Sequence, residues 1–287
     1  MDIVGMDLDI MKKGESMYIS SKLKDLNVLD PTDRVIHKKI LSVVGRDVWQ
    51  ADIVMHGDVN EDHKLIDTDC IDMSVQLSMG QPRVVFLNKF VSQVMCWLDK
   101  FQTAKEAVAI AGEAAAAAAK VNLQKAYQPS FRLKLDITLK APLILMPQDS
   151  TSHSGLLLDL GEITIINGFR KDQNRNELGH HAIFDLINLQ LQNVKISRVN
   201  NISSNGEWED GKLMIKDPIS FLLRIERNLA ISWYTTKPEI DIEAKLKPIK
   251  VILSDEDIQM MMTVLQDNIG EEATINQNST SEKNEKI

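Results

Sequence analysis

The feature that most constrains this chain is strict alternation of apolar and polar residues over runs too long for ordinary strands. Ile71, Met73, Val75, Leu77 and Met79 alternate with Asp72, Ser74, Gln76 and Ser78. Phe131, Leu133, Leu135, Ile137, Leu139 and Ala141 do the same against Arg132, Lys134, Asp136, Thr138 and Lys140. Successive side chains of a strand point to opposite faces, so each run is a strand with one greasy and one wet side. Ile219, Phe221, Leu223 and Ile225 form a third such run, and Ile240, Ile242, Ala244 and Leu246 a fourth. Further strands are expected over 2–12, 17–28, 37–55, 156–167 and 183–199, with 131–146, 213–228 and 231–253 each read as one strand. The fold class is mainly β, an elongated antiparallel sheet.

Two stretches switch to a helical period. Between Val84 and Phe101, the residues Phe86, Phe90, Val94, Trp97 and Phe101 recur at spacings of three and four. From Asp255 to Asn268 a second helix is expected, with Ser254 as N-cap, Asp255, Glu256 and Asp257 in the first turn, and Ile258, Met261, Met262 and Leu265 on one side. Each helix follows a strand that opens Ile-Asp and alternates, and the two strands lie 169 residues apart. The chain therefore reads as a repeat whose unit is five strands and a helix-bearing connection. The expected division is 1–102 as the end of one unit, 103–130 as a helical linker with eleven alanines, 131–268 as a second unit, and 269–287 as a polar tail. Polar loops are expected at 168–180 and 200–211.

Composition excludes several functions. With 33 Lys and Arg against 41 Asp and Glu, the net charge of −8 gives no drive toward nucleic acid. Two cysteines make no disulfide scaffold, so a reducing cytosol is the expected location, and the opening residues lack the pattern of a signal peptide. No phosphate-binding glycine loop, nucleophile elbow or metal-binding His-Glu-x-x-His occurs, so neither catalysis nor a cofactor or metal is expected. His180 and His181 adjoin in an extended segment, where their rings diverge. The acidic triplet at 255–257 is accounted for by a helix start, and Cys70 and Cys96 have no basic neighbour to favour a thiolate.

One-sided strands fit two architectures: a sandwich in which each apolar face covers another, or an open groove. Long strands and 5% aromatic residues weigh toward the groove, and the pattern alone leaves both standing.

The run Leu139-Lys140-Ala141-Pro142-Leu143-Ile144-Leu145-Met146-Pro147-Gln148, with Leu156 to Asn167 after it, resembles a middle segment of the chorein (vacuolar protein sorting thirteen) family of bridge-like lipid transfer proteins. Phe86-Leu87-Asn88-Lys89-Phe90 and the alanine-rich stretch resemble it too, and the similarity covers roughly residues 1–268. The resemblance implies a sheet curled into an open hydrophobic trough of repeating β-groove units. Glycerophospholipids would slide along it between organelle membranes at contact sites, with the protein peripheral to those membranes. The floor it implies comprises Ile71, Met73, Val75, Leu77, Phe131, Leu133, Leu135, Ile137, Leu139, Ile219, Phe221, Leu223, Ile225, Ile240, Ile242 and Leu246. Adaptor proteins and membrane docking would belong to other parts of such a protein. The competing expectation is a β-rich interaction scaffold with no conduit.

Overall fold

The computed structural model describes residues 1–31, 35–57, 67–99, 131–175, 181–204, 207–209 and 211–270. Its strands are β1 (Asp2–Lys13), β2 (Ser16–Leu29), β3 (Lys39–Met55), β4 (Met73–Val85), β5 (Leu133–Lys140), β6 (Leu143–Pro147), β7 (Gly155–Asp159), β8 (Glu162–Arg175), β9 (His181–Val199), β10 (Ile219–Asn228) and β11 (Ile240–Leu246). Helix α1 spans Asn88–Asp99, and α2, Asp255–Thr263, runs into a π-helical turn at Val264–Ile269. All strands join one sheet in the order β1-β2-β3-β4-β5-β8-β9-β10-β11, with β6 between β4 and β7, and β7 pairing β9.

The long alternating runs form strands as expected, with two refinements. The run 131–146 bends at Ala141 and Pro142 into β5 and β6, because Pro142 has no N–H to give the ladder. The run 156–167 bends opposite it at Leu160 and Gly161. Gly161 adopts φ +75°, and a Cβ there would lie 1.8 Å from the Gln192 carbonyl oxygen. The two bends bond to each other, Ala141 N donating to Gly161 O at 2.8 Å and Leu160 N to Pro142 O at 3.2 Å. Counting each bent pair once, the five expected strands between the helices are recovered.

The sheet is mixed, not purely antiparallel. Strand β4 runs parallel to β5, from Met73↔Leu133 to Met79↔Leu139, and parallel to β6. Every other pair is antiparallel. The chain leaves β4 at Val85 and returns at Leu133 beside it in the same direction, which only a long crossover allows. That crossover carries α1; Phe101 and the alanine-rich stretch 103–130 lie outside the described residues, as do His180 and the tail from 271.

Several boundaries move. Val84 and Val85 belong to β4, and α1 starts at Asn88. Residues 168–175, expected as loop, extend β8 through Lys171↔Ile183 and Arg175↔His181, since a ladder needs backbone groups and not apolar side chains. The run 231–253 keeps only Ile240–Leu246 as strand. Its first part turns back, Tyr234 N bonding to Ala230 O at 2.7 Å, and seats Trp233 and Tyr234 against Phe184.

The apolar side of α2 that the sequence shows is not the side it buries. Ser254 caps it in a capping box with Asp257 as expected. The side turned inward is Asp257, Met260, Val264 and Asn268, while Ile258, Met261, Met262 and Leu265 are exposed. Met260 and Val264 pack on Leu156 and Met214. Fully buried Asn268 bonds Phe86 O and Pro147 O, and its carbonyl accepts Asn88 N at 3.1 Å. These polar anchors, together with Asp257 beside Arg198 and Lys212, select that side over the equally apolar one. Buried clusters close both ends of the strands: Val85, Leu143, Leu145, Leu157, Val199 and Ile202 gather with Leu87 and Ile40 at one end, and Ala182, Phe184 and Ala230 at the other.

Candidate functional site: an apolar floor across nine strands

Residues paired across neighbouring strands point to the same face, so the register shows which side chains share a surface. One row runs Met6, Leu23, Trp49, Met79, Leu139, Ile163, Leu191, Phe221 and Leu246, apolar on all nine strands it crosses. A second row, two residues along, runs Leu8, Ser21, Ala51, Leu77, Ile137, Ile165, Leu189, Leu223 and Ala244. The third holds Ile10, Ile19, Ile53, Val75 and Leu135, and resumes beyond Asn167 with Ile187, Ile225 and Ile242.

With neighbouring strands about 4.8 Å apart and rows about 6.8 Å apart, the first row is about 38 Å long and the three rows cover about 14 Å. Most of these side chains are half-buried, and of the first row only Leu23 belongs to the fully buried set.

Thirteen of the sixteen sequence-predicted floor residues lie on this face within the β4, β5, β10 and β11 ladders. Ile71 and Phe131 precede their strands, where Asp72 N bonds Arg132 O at 2.9 Å. Ile219 pairs Val194 beyond a bulge. Sequence reasoning missed the contributions of β1, β2, β3, β8 and β9, although Ile163 and Ile165 alternate within a run already read as strand.

Polar groups bound the floor on both sides. On one side Asn167 takes the place of a ladder partner between β5 and β8. Its amide donates to Leu133 O and Asp185 Oδ1, both at 2.7 Å, and its carbonyl accepts Leu135 N at 2.6 Å. Asp185, 2% exposed, faces Arg227 at 3.1 Å. Burial pushes its carboxyl upward, and the Asn167 and Arg227 hydrogen bonds oppose that shift. On the other side the row Ser42, Arg83, Leu143, Asp159 and Lys195 carries the Arg83 guanidinium over the Trp208 ring at 4.6 Å.

Among the described residues no three His, Cys, Asp or Glu side chains come together as a metal site, and no helix is long and apolar enough to cross a membrane. His181 lies in β9 with its Nδ1 2.7 Å from Asp172 O.

These observations define a class: a β-protein whose long strands present a continuous one-sided apolar floor. The whole chain, residues 1–287, matches the VPS13-like family middle region, and it belongs to that family. It is 34% identical over 272 residues to the human intermembrane lipid transfer protein VPS13C, covering 94% of this chain. To the mouse intermembrane lipid transfer protein VPS13A it is 31% identical over 267 residues, covering 93%. The chain spans 7% and 8% of those two relatives.

Proposed function

We infer that this chain is a length of conduit within a bridge-like lipid transfer protein. It carries glycerophospholipids along the apolar floor between organelle membranes at contact sites, from the cytoplasmic side and without catalysis or cofactor. Residues 1–102 and 131–268 act as successive groove units joined by 103–130, with 269–287 as a tail, and adaptor and membrane docking fall to other parts of the protein. The observation that carries this reading is the row of nine apolar residues, which passes from the first unit to the second at Met79↔Leu139 without a break. The relatives' described role in intermembrane lipid transfer supports it.

The chemistry is transfer between solvents. Acyl chains leave a bilayer for a floor that keeps about 0.8 kcal/mol of stabilisation per methylene shielded from water. Aliphatic walls offer no fixed hydrogen-bond partner, so the tails are held without being pinned.

The test is lipid content. The purified chain should carry glycerophospholipids on organic extraction and mass spectrometry, and Leu135→Glu combined with Leu223→Glu should reduce them to the level of a control protein while circular dichroism still reports a β-sheet. Equal lipid in the folded double variant would show that the face is misassigned.

A further inference from the structure

The ladder between β5 and β8 is incomplete. It runs from Lys140↔Glu162 to Asp136↔Ile166 and stops, although β5 reaches back to Leu133 and β8 continues to Arg175. Each bank of the resulting seam keeps a ladder of its own, β5 with β4 down to Met73↔Leu133 and β8 with β9 through Lys171↔Ile183. Side chains cross the seam in place of backbone pairs. Asn167 donates to Leu133 O at 2.7 Å and accepts Leu135 N at 2.6 Å, and Lys134 Nζ donates to Asn167 O at 2.5 Å. Arg227, from β10, donates to Phe131 O at 3.4 Å, and the Arg132 guanidinium lies 5.7 Å from the centre of the Phe169 ring.

Asp185 stands behind two of these crossings. Its Oδ1 accepts the Asn167 amide at 2.7 Å and its Oδ2 accepts Arg227 at 3.1 Å, so one carboxylate orients both clasping side chains. Asn167 and Asp185 are 3% and 2% exposed, so their bonds hold without competition from bulk water. A backbone ladder opens by losing many bonds together, whereas this clasp depends on three side chains, and a sheet opens first where its cooperative unit is smallest. The seam also meets the apolar floor. The third row reaches it at Leu135 and resumes beyond Asn167 at Ile187.

We propose that the seam is a latch in the wall of the trough: Asn167 and Arg227, both held by Asp185, clasp β8 to β5, and their release swings the two banks apart about the ladder at Asp136↔Ile166. The opening is a lateral port by which a glycerophospholipid joins or leaves the floor part-way along it. Leu133 and Leu135 on one bank and Phe169 on the other give the gap apolar sides for a lipid tail to cross. The port rests on the conduit reading, and the latch does not.

Amide hydrogen exchange read residue by residue tests the latch. Leu135 N–H bonds to a side chain, while Ile137, on the same edge of β5, lies within the ladder. In the wild type Leu135 should exchange about tenfold faster than Ile137. Asp185→Asn leaves the acceptor of Leu135 in place and removes the charge that holds Arg227. It should speed Leu135 about tenfold further with Ile137 unchanged, and Arg227→Gln should act in the same direction. Equal exchange at the two amides of the wild type, or an equal rise at both in the folded variants, would overturn the latch, since a merely structural role loosens the whole ladder. The port is read from release of a fluorescent phosphatidylcholine, preloaded on the chain, into phosphatidylcholine vesicles, which Asp185→Asn should speed about threefold. Unchanged release from a variant whose Leu135 amide has sped up would overturn the port. Failure of the conduit reading looks different: the wild type would then retain no phosphatidylcholine, while the contrast between Leu135 and Ile137 persisted.

Discussion

Strands β4 and β11 are counterparts, 169 residues apart, and they live in different surroundings. Ile71-Asp72-Met73-Ser74-Val75-Gln76-Leu77 matches Ile240-Asp241-Ile242-Glu243-Ala244-Lys245-Leu246 in pattern, and both lead toward a helix. In β4, Met73, Val75 and Leu77 are half-buried because β3 lies on one side and β5 on the other. In β11, which has β10 on one side only, all seven residues are exposed, with Ile242 at 61% and Leu246 at 57%. Alternation therefore decides which face a residue joins, and the neighbouring strands decide how much water it loses. The outer faces differ too: Gln76 and Ser78 stand on the outer side of β4, whereas β11 carries Glu243 and Lys245, linked at 2.8 Å.

The strongest way to break this comparison is proline. Leu77→Pro removes a donor from a central strand and should cost about 3 kcal/mol or more, enough to lose the folded state in a urea titration. Leu246→Pro, at the edge, should leave a cooperative transition with its midpoint little changed. A smaller effect tests whether the repeat's two helical ends are coupled. Asn268→Ala strips Phe86 O, Pro147 O and Asn88 N of their partner and should destabilise by about 2 kcal/mol. Truncation sharpens the comparison further: Leu77→Ala should cost about 1.5 kcal/mol and Leu246→Ala about 0.5 kcal/mol or less in the same denaturation assay.

The smallest expected effect is one of pH and concerns buried His37. Burial holds the His37 imidazole below its ordinary value of 6.5, against the pull of its bond to Ser152 O and the nearby Asp149, with His153 adding to the lowering. A folded-state value below the unfolded one means that folding favours the neutral ring. This contribution is complete above about 6.5 and fades as pH falls through that value toward the folded one. The thermal midpoint should drop by about one degree or less between about pH 7 and pH 5.5, and His37→Gln should flatten that slope.

Much of the floor was legible because a period of two cannot be mistaken over eleven residues, and because register carries it sideways without further information. The parallel β4–β5 pair was not legible, since strand direction depends on a crossover and leaves no mark on the strands themselves. For α2 the sequence offers two apolar sides, Ile258-Met261-Met262-Leu265 and Met260-Val264. The choice fell to Asp257 and Asn268, whose partners lie far away in sequence. Asn167 had a visible signal: it occupies an apolar-parity position at the end of Ile163-Thr164-Ile165-Ile166, and a polar residue there interrupts the third row where β5 and β8 part.

The uninterrupted first row has a consequence for motion. On the proposed conduit reading, a lipid that advances by one strand moves about 4.8 Å and exchanges one aliphatic or aromatic neighbour for another of similar size. Contacts of that kind are individually weak and nearly interchangeable, so the friction against each step is small and displacement is a one-dimensional random walk, biased only by how crowded its two ends are. Because Met79 pairs Leu139 like any other adjacent pair of the row, the step from β4 to β5 should cost no more than a step between other neighbouring strands.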